Sequence, residues 1–170
     1  KKLDTFKFFL LYGNNRGLIK ETIENHLKLI LPKNINNYEE NDILQNSENF
    51  KESLLTKSFF EDKKLIIISR VTDKIFDIIE DIIDKNLDDI SIILESTQLD
   101  KKSKLRNYFE KSKQTICIPF YEDNNQTLDI LIKNFLREKN ISLSQQNINL
   151  IIDRSRGDRL SLKNELNKIE

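Results

Sequence analysis

The 170-residue sequence contains one cysteine, Cys117, and no alanine, methionine or tryptophan. A single cysteine excludes an internal disulfide and a zinc site built from cysteines. An excess of charge of one sign is also missing, because 28 lysines and arginines balance 28 aspartates and glutamates. A neutral chain is a poor candidate for a protein that binds DNA phosphates by itself. No apolar run approaches the ~18 residues of a membrane span and no signal peptide is visible, so we predict a cytoplasmic protein without a membrane partner.

Isoleucine and leucine dominate the apolar residues. There are 25 Ile and 23 Leu but only one valine, and hydrophobic residues make up 38% of the chain, enough for a packed core. No fold requires the absence of alanine, so we attribute this composition to the codon usage of an AT-rich genome. The sequence begins with Lys1 and stops inside a predicted helix. We therefore expect a fragment of a longer protein.

Short apolar segments alternate with helical segments up to Pro119. Strands are predicted at Phe6–Tyr12, Ile35–Glu39 (a weak edge strand), Lys63–Ile68, Ile90–Leu94 and Thr115–Ile118. Apolar residues at helical spacing predict helices at Arg16–Leu31, Asp42–Leu55, Ile75–Ile83 and Lys101–Lys111. Strands that are separated by helices of about a dozen residues imply right-handed crossovers. We therefore expect a three-layer α/β domain with a mainly parallel sheet.

The pattern changes after Pro119, where strand signals end. Three helical segments follow, at Asn124–Lys139, Ser144–Arg156 and Asp158–Glu170, with Gly157 as a helix-ending glycine. We predict a hinge at Pro119-Phe120-Tyr121. The predicted organisation is an α/β domain over residues 1–119 and a small three-helix domain over residues 120–170.

An α/β domain followed by a small helical domain suggests a nucleotide site between the first strand and the first helix. A phosphate loop there would read G-x-x-x-x-G-K-[ST]. The sequence has Gly13-Asn14-Asn15-Arg16-Gly17-Leu18-Ile19-Lys20, without the Gly-Lys-Ser/Thr core. Ser69, Arg70 and Val71 follow the central strand, where acidic metal ligands would be expected. We predict a nucleotide-binding scaffold that binds no nucleotide, with no cofactor, no metal and no catalytic residues.

Two other features have ordinary structural interpretations. Cys117 lies between isoleucines in a predicted strand, which favours a small buried side chain over a reactive thiol. The densest basic cluster comprises Lys101, Lys102, Lys104 and Arg106. A solvated first helical turn is the favoured interpretation of that cluster, and phosphate contact is the alternative.

Three segments resemble one known family in the right order along the chain. Leu10–Glu21 resembles the opening strand and degenerate phosphate loop of the bacterial DNA polymerase III delta subunit. Ser58–Ile68 is similar to the clamp-binding segment and following strand of that family, and Arg156–Ile169 resembles the last helix of its lid domain. Each match is weak alone, whereas together they are fairly specific.

The resemblance implies a clamp-loader subunit with an AAA+/RecA-like fold and no ATPase activity, belonging to the DNA polymerase III holoenzyme. It implies that Gly13–Gly17 is a degenerate phosphate loop and that Ser58, Phe59 and Phe60 bind the ring-shaped sliding clamp, beta, whose opening admits DNA. A C-terminal collar domain, absent from this chain, would join the other loader subunits. DNA would be met only within the assembled loader, where Lys101, Lys102, Lys104 and Arg106 are candidate contacts.

Alternatives remain open for the site and for the protein. Neighbouring phenylalanines on an irregular segment cannot easily both enter one core, so Phe59 and Phe60 suit a protein–protein anchor. The competing interpretation packs both under the strand that begins near Lys63. An AAA+-type ATPase with drifted motifs is the main alternative for the whole chain. A Rossmann-like enzyme is a weaker one, because Gly13 and Gly17 do not form G-x-G-x-x-G.

Overall fold

Five parallel strands form one sheet in the computed structural model, which describes residues 5–55, 63–85 and 87–169. The strands are β1 (Phe8–Tyr12), β2 (Asn34–Glu39), β3 (Lys64–Ser69), β4 (Ile90–Ser96) and β5 (Thr115–Pro119). Their order across the sheet is β2-β3-β4-β1-β5. In the register of the sheet, Leu10 of β1 lies opposite Leu94 of β4 on one side and Cys117 of β5 on the other. The first strand therefore lies inside the sheet, and the loop after it opens at the carboxyl edge.

Helices cover both faces of the sheet, which explains why its inner strands are continuous apolar runs. One face carries α1 (Arg16–Thr22), which continues through a π-helical turn (Ile23–Leu27) into α2 (Lys28–Ile30). The other face carries α3 (Glu40–Gln45), α4 (Ser47–Leu55), α5 (Phe76–Asp84) and α6 (Lys104–Lys111). Every residue of β1 is buried, and alternate side chains enter the two apolar clusters. The predicted three-layer α/β fold with a parallel sheet is confirmed.

Several helix boundaries differ from the sequence prediction; α3, for example, begins at Glu40 and not at Asp42. The predicted helix Asp42–Leu55 is broken at Asn46, which leaves the helical region at φ −135° and ends α3 with a hydrogen bond to the Ile43 carbonyl. The helix predicted from Lys101 starts only at Lys104, because the Ser103 side chain caps it and the Asp73 carboxylate accepts its first amides. At α6, side chains that bind backbone amides therefore decide where the helix begins.

Three helices follow the sheet: α7 (Asn125–Glu138), α8 (Gln145–Ser155) and α9 (Arg159–Asn167). Asn124, Ser144 and Asp158 cap them, each accepting a hydrogen bond from the amide three residues later. Their buried apolar side chains pack together in a cluster of their own. The left-handed turn after α8 begins at Arg156 (φ 50°), one residue before the predicted Gly157 (φ 78°). The division into domains at residue 119 stays a prediction.

Candidate functional site

The Gly13–Gly17 loop, which joins β1 to α1 and includes the first two residues of α1, lies at the carboxyl edge of the sheet, where open parallel sheets bind ligands. Gly13 has φ 138°, and a Cβ on it would lie 2.0 Å from the carbonyl oxygen of Phe120. No side chain fits this position, because the chain leaving β5 passes directly against the loop. The glycine at the start of the loop is therefore explained by packing against the protein's own backbone.

Backbone amides that would cradle a phosphate are engaged within the chain. The Gly13 amide donates to the Ser96 carbonyl at 3.1 Å, and the Asn15 amide donates to the Phe120 carbonyl at 3.4 Å. The Leu18 amide donates to the Asn15 side-chain oxygen at 3.0 Å and so caps α1. A phosphate loop needs several free amides that converge on one point. These three amides have other partners.

Asn15 ties the loop to the segment that follows β5. Its side chain is buried, and its Nδ2 donates to the Tyr121 carbonyl at 3.0 Å and to Asp123 Oδ2 at 2.9 Å. Its neighbour Asn14 donates from Nδ2 to Glu122 Oε1 at 3.1 Å. Two carboxylates of the chain itself therefore lie against the loop, and they would repel an anion bound next to Asn14 and Asn15.

Gly17 has a similar explanation on the other side of the loop. It is buried in the first turn of α1, and a Cβ on it would lie 3.0 Å from Arg159 Cβ and 3.1 Å from the Leu160 amide nitrogen. Helix α9 begins at these residues. The second glycine of the degenerate loop thus lets the first turn of α9 approach α1 closely.

Arg159, the first residue of α9, binds two carboxylates at the junction where α9 meets α1 and the segment after β5. Its guanidinium donates to both oxygens of Asp123 at 2.7 Å, and its Nη1 donates to Glu21 Oε2 at 3.2 Å. The side chains of Arg159 and Asp123 are only 10% and 6% exposed. Breaking such a buried pair by removing one partner typically costs ~3–5 kcal/mol.

The carboxyl groups at the junction titrate accordingly. Burial alone would raise the pKa of Asp123, but hydrogen bonds from Arg159 and Asn15 outweigh it and lower that pKa below its usual value. Glu21 behaves in the same way, since hydrogen bonds from Lys163 and Arg159 outweigh its burial and lower its pKa. The junction is therefore a set of ionised groups at neutral pH, with each charge paired inside the protein.

A groove of about 330 Å³ lies beside the loop, between α1 and the carboxyl ends of β3 and β4. Glu95 lies in it, and burial raises the pKa of its carboxyl group. At the end of β3, Arg70 (φ 58°) bonds to Glu39 at 3.0 Å. Two carboxylates line the groove, Glu24 from the π-helical turn and Glu95 from β4. At the described carboxyl ends of β3 and β4, Glu95 is the one acid in the groove, so a pair of acids for magnesium is absent there.

The predicted basic cluster is divided by its contacts. Arg106 lies over the Tyr12 ring, with its Cζ 4.9 Å from the centroid, and donates to Glu110 Oε1 at 2.8 Å. Lys101, Lys102 and Lys104 are exposed at the turn before α6 and at its first residue. Only the three lysines are thus presented to solvent as candidate phosphate contacts.

The predicted clamp-binding residues Ser58, Phe59 and Phe60 lie outside the described residues. The described chain before them ends with α4 at Leu55, and β3 begins after them at Lys64. The chain therefore enters β3 at the amino edge of the sheet, opposite the edge that carries the Gly13–Gly17 loop.

Other functional features are not found in the part of the chain that the structure describes. Residues 5–55, 63–85 and 87–169 contain no group of three or more His, Cys, Asp or Glu side chains that could hold a metal ion. None of the helices within those ranges is both long and apolar enough to cross a membrane. Cys117 is partly buried in β5, and burial raises the pKa of its thiol to about 12.

Solved structures with similar folds are AAA+-like proteins. The DNA clamp loader delta protein of Bacillus subtilis matches 96% of this chain and 52% of its own, with TM-score 0.61 and 15% identity. The RuvB Holliday junction branch migration motor of Thermotoga maritima matches 96% of this chain and 54% of its own, with TM-score 0.62 and 17% identity. A replication initiator DnaA, solved with AMPPCP and single-stranded DNA, matches 99% of this chain and 56% of its own, with TM-score 0.60 and 17% identity. This chain thus spans about half the length of the structures it matches, and its fold is AAA+-like.

The family follows from the sequence. The sequence model of the DNA polymerase III delta subunit family matches residues 9–120, which include the whole sheet except Phe8. The chain belongs to the DNA polymerase III delta subunit family. A comparison with curated proteins gave no match. The predicted membership of this family is confirmed, and the resembling segments Leu10–Glu21 and Ser58–Ile68 lie within the matched residues.

Proposed function

We propose that this chain is the AAA+-like portion of a clamp-loader delta subunit, which binds the sliding clamp and opens it during DNA replication without hydrolysing nucleotide. The observation that carries the proposal is the family match over residues 9–120. The fold of the Bacillus subtilis clamp loader delta protein supports it. The proposed setting is the cytoplasm, within the DNA polymerase III holoenzyme.

Contacts of the loop support the absence of nucleotide chemistry in this proposal. The amides of Gly13, Asn15 and Leu18 already have acceptors in the chain. A triphosphate bound at these amides would also have the carboxylates of Glu122 and Asp123 as neighbours, because these groups bind Asn14 and Asn15 of the loop. Such an arrangement is unfavourable, because it brings like charges together.

The proposed clamp anchor is the pair Phe59 and Phe60, with Ser58 beside it. A phenylalanine that enters a pocket of the clamp contributes ~1.5–3 kcal/mol through buried apolar surface. Two such side chains are enough to act as a hot spot for the interface. Opening a ring requires that this binding energy favour the open state over the closed one, which is a shift of population.

The other proposed partners require more of the protein than this chain. Contacts with the other loader subunits would be made through a further C-terminal domain. DNA would be contacted only in the assembled loader, where Lys101, Lys102 and Lys104 offer exposed ammonium groups. Such contacts would be sequence-independent, since they reach phosphates and not base edges.

Clamp titration of single variants tests the anchor. Phe59→Ala and Phe60→Ala should each weaken binding to the cognate sliding clamp by more than ~1 kcal/mol, which is more than about fivefold in Kd. Tyr121→Ala is the matched control, because Tyr121 is an aromatic residue with 79% exposure in the segment that follows β5. Its clamp affinity should equal that of the unsubstituted chain.

Thermal melting of the same variants separates the two interpretations of these phenylalanines. Anchor residues can be truncated with little change in melting temperature, whereas truncation of a core phenylalanine costs ~3–5 kcal/mol of stability. Unchanged clamp affinity together with a collapsed melting temperature would show that they are core residues. Calorimetric titration with ATP and magnesium should give no binding heat, and clear binding would favour the drifted ATPase instead.

A further inference from the structure

The orientation of α7–α9 against the sheet needs its own explanation. The buried cluster of these helices is built from their own side chains, and the two clusters at the sheet are built from the residues before Tyr121. A shared apolar core therefore does not join the two parts among the described residues. Helix α9 meets α1 at the Gly13–Gly17 loop.

One side chain joins three separate parts of the protein there. Arg159 is the first residue of α9, Asp123 lies in the segment between β5 and α7, and Glu21 belongs to α1. The bidentate contact between Arg159 and Asp123 fixes the plane of the guanidinium. Lys163 of α9 adds an ion pair to Glu21 at 3.1 Å. We call Arg159, Asp123, Glu21 and Lys163 the clasp.

The clasp lies against the degenerate phosphate loop. Asp123 also accepts a hydrogen bond from Asn15, so the clasp and the loop share a carboxylate. Gly17 allows the start of α9 to lie against the loop. The clasp thus joins the loop, the segment after β5 and α9 through groups of the chain, and the groove that Arg16 and Leu160 line lies beside it.

We propose that the clasp holds α7–α9 in a single orientation against the α/β sheet without any ligand, so that a nucleotide does not set this orientation. A ligand changes a conformational equilibrium only through different affinities for its two states. Here the groups that form the closing hydrogen bonds and ion pairs belong to the chain itself, so they are present at all ligand concentrations. The proposal goes beyond the clamp-binding role and does not depend on it.

Distance measurement between spin labels tests the single orientation. Labels at Lys111→Cys on α6 and Leu150→Cys on α8 occupy exposed positions in the two parts, in a Cys117→Ser background. The unsubstituted clasp should give one narrow distance distribution that ATP and magnesium leave unchanged. A broad distribution, or one that shifts with ATP, would overturn the proposal.

Substitutions in the clasp provide a second test of the proposal. Arg159→Leu and the nearly isosteric Asp123→Asn should both broaden the distribution, whereas Arg154→Leu, an exposed arginine on α8, should not. Circular dichroism verifies the fold, and Asp123→Asn keeps the test valid if Arg159→Leu does not fold. A narrow distribution in a folded clasp variant would overturn the proposal.

Chymotrypsin gives an independent readout at Tyr121, which is exposed but has its carbonyl bound by Asn15. Cleavage of a transiently opened segment follows the population of the open form. Clasp variants should be cut at least ~10-fold faster than the Arg154→Leu control, which corresponds to about 1.4 kcal/mol of lost closing free energy. Equal cleavage rates in the clasp variants and the control would contradict the proposal.

Discussion

Replacing Gly17 by alanine tests whether the loop glycine serves packing. Gly17 is the second residue of α1, and it approaches two atoms of α9 that cannot rotate away, Arg159 Cβ and the Leu160 amide nitrogen. A new Cβ would meet them at 3.0 Å and 3.1 Å, inside the ~3.5–4.0 Å of an optimal contact. Helix α9 must therefore move outward by several tenths of an ångström, which lengthens the contacts of Arg159.

Two effects of opposite sign compete in this variant. Alanine favours a helix over glycine by up to ~1 kcal/mol, and would stabilise α1 if nothing lay against it. Overpacking a close contact typically costs ~1–3 kcal/mol. Because a backbone nitrogen and a Cβ form the obstacle, we expect the steric cost to win, with a net loss of about 1–2 kcal/mol.

Chemical denaturation gives the sign of the change. Gly17→Ala should unfold at lower denaturant concentration than the unsubstituted chain, and Lys20→Ala, an exposed position of the same helix, should change the midpoint little. Cleavage at Tyr121 should accelerate in Gly17→Ala as the clasp loosens. A Gly17→Ala protein that is more stable than the unsubstituted chain would refute the reasoning, because the helix would then have gained without cost from α9.

Three further predictions concern other parts of the molecule. Asp73→Ala should destabilise the protein by about 1 kcal/mol because its carboxylate caps α6, whereas Asp77→Ala should have little effect. Hydrogen bonds from Ser103 and from the amides of Lys104 and Leu105 outweigh a partial desolvation and lower the pKa of Asp73. Its contribution to the free energy of unfolding should therefore be complete above the ordinary pKa of 3.8 and be lost as the pH falls through the lower pKa of the folded state, which urea titrations at several pH values would show. Cys117 should react with a thiol reagent at pH 8 only on unfolding, since burial raises its pKa to about 12, and rapid reaction of the folded protein would contradict this. Glu95→Gln should raise the melting temperature at neutral pH, because burial raises the pKa of Glu95 and its ionised form is unfavourable in the folded state, and a lower melting temperature would disprove this assignment.

The strands and most helices were predictable from local pattern. Strand β1 is a continuous apolar run because both faces of the sheet are covered, and this property is visible in five consecutive residues. Even the edge strand at Asn34–Glu39 carried enough signal to be placed. Boundaries failed where a side chain from elsewhere captures a backbone amide, as Asp73 does at α6.

The candidate site was predictable only in part. The missing Gly-Lys-Ser/Thr core identified the Gly13–Gly17 loop as degenerate, because that motif is a contiguous pattern. Nothing in the sequence identified Arg159, Asp123 and Glu21 as members of one site. The arginine lies 36 residues from the aspartate and 138 from the glutamate, and each looks like an ordinary charged residue of a helix or connecting segment.

By itself, the sequence determined the alternation of strands and helices, the degenerate loop and the family, since all three depend on which residues are neighbours along the chain. Only the tertiary structure decided which groups of the chain pack against the loop. Gly13 accommodates the Phe120 carbonyl and Gly17 accommodates α9, so both glycines depend on segments that are more than 100 residues away. Close approach between distant backbones is a property of packing, and periodicity along the sequence carries no record of it.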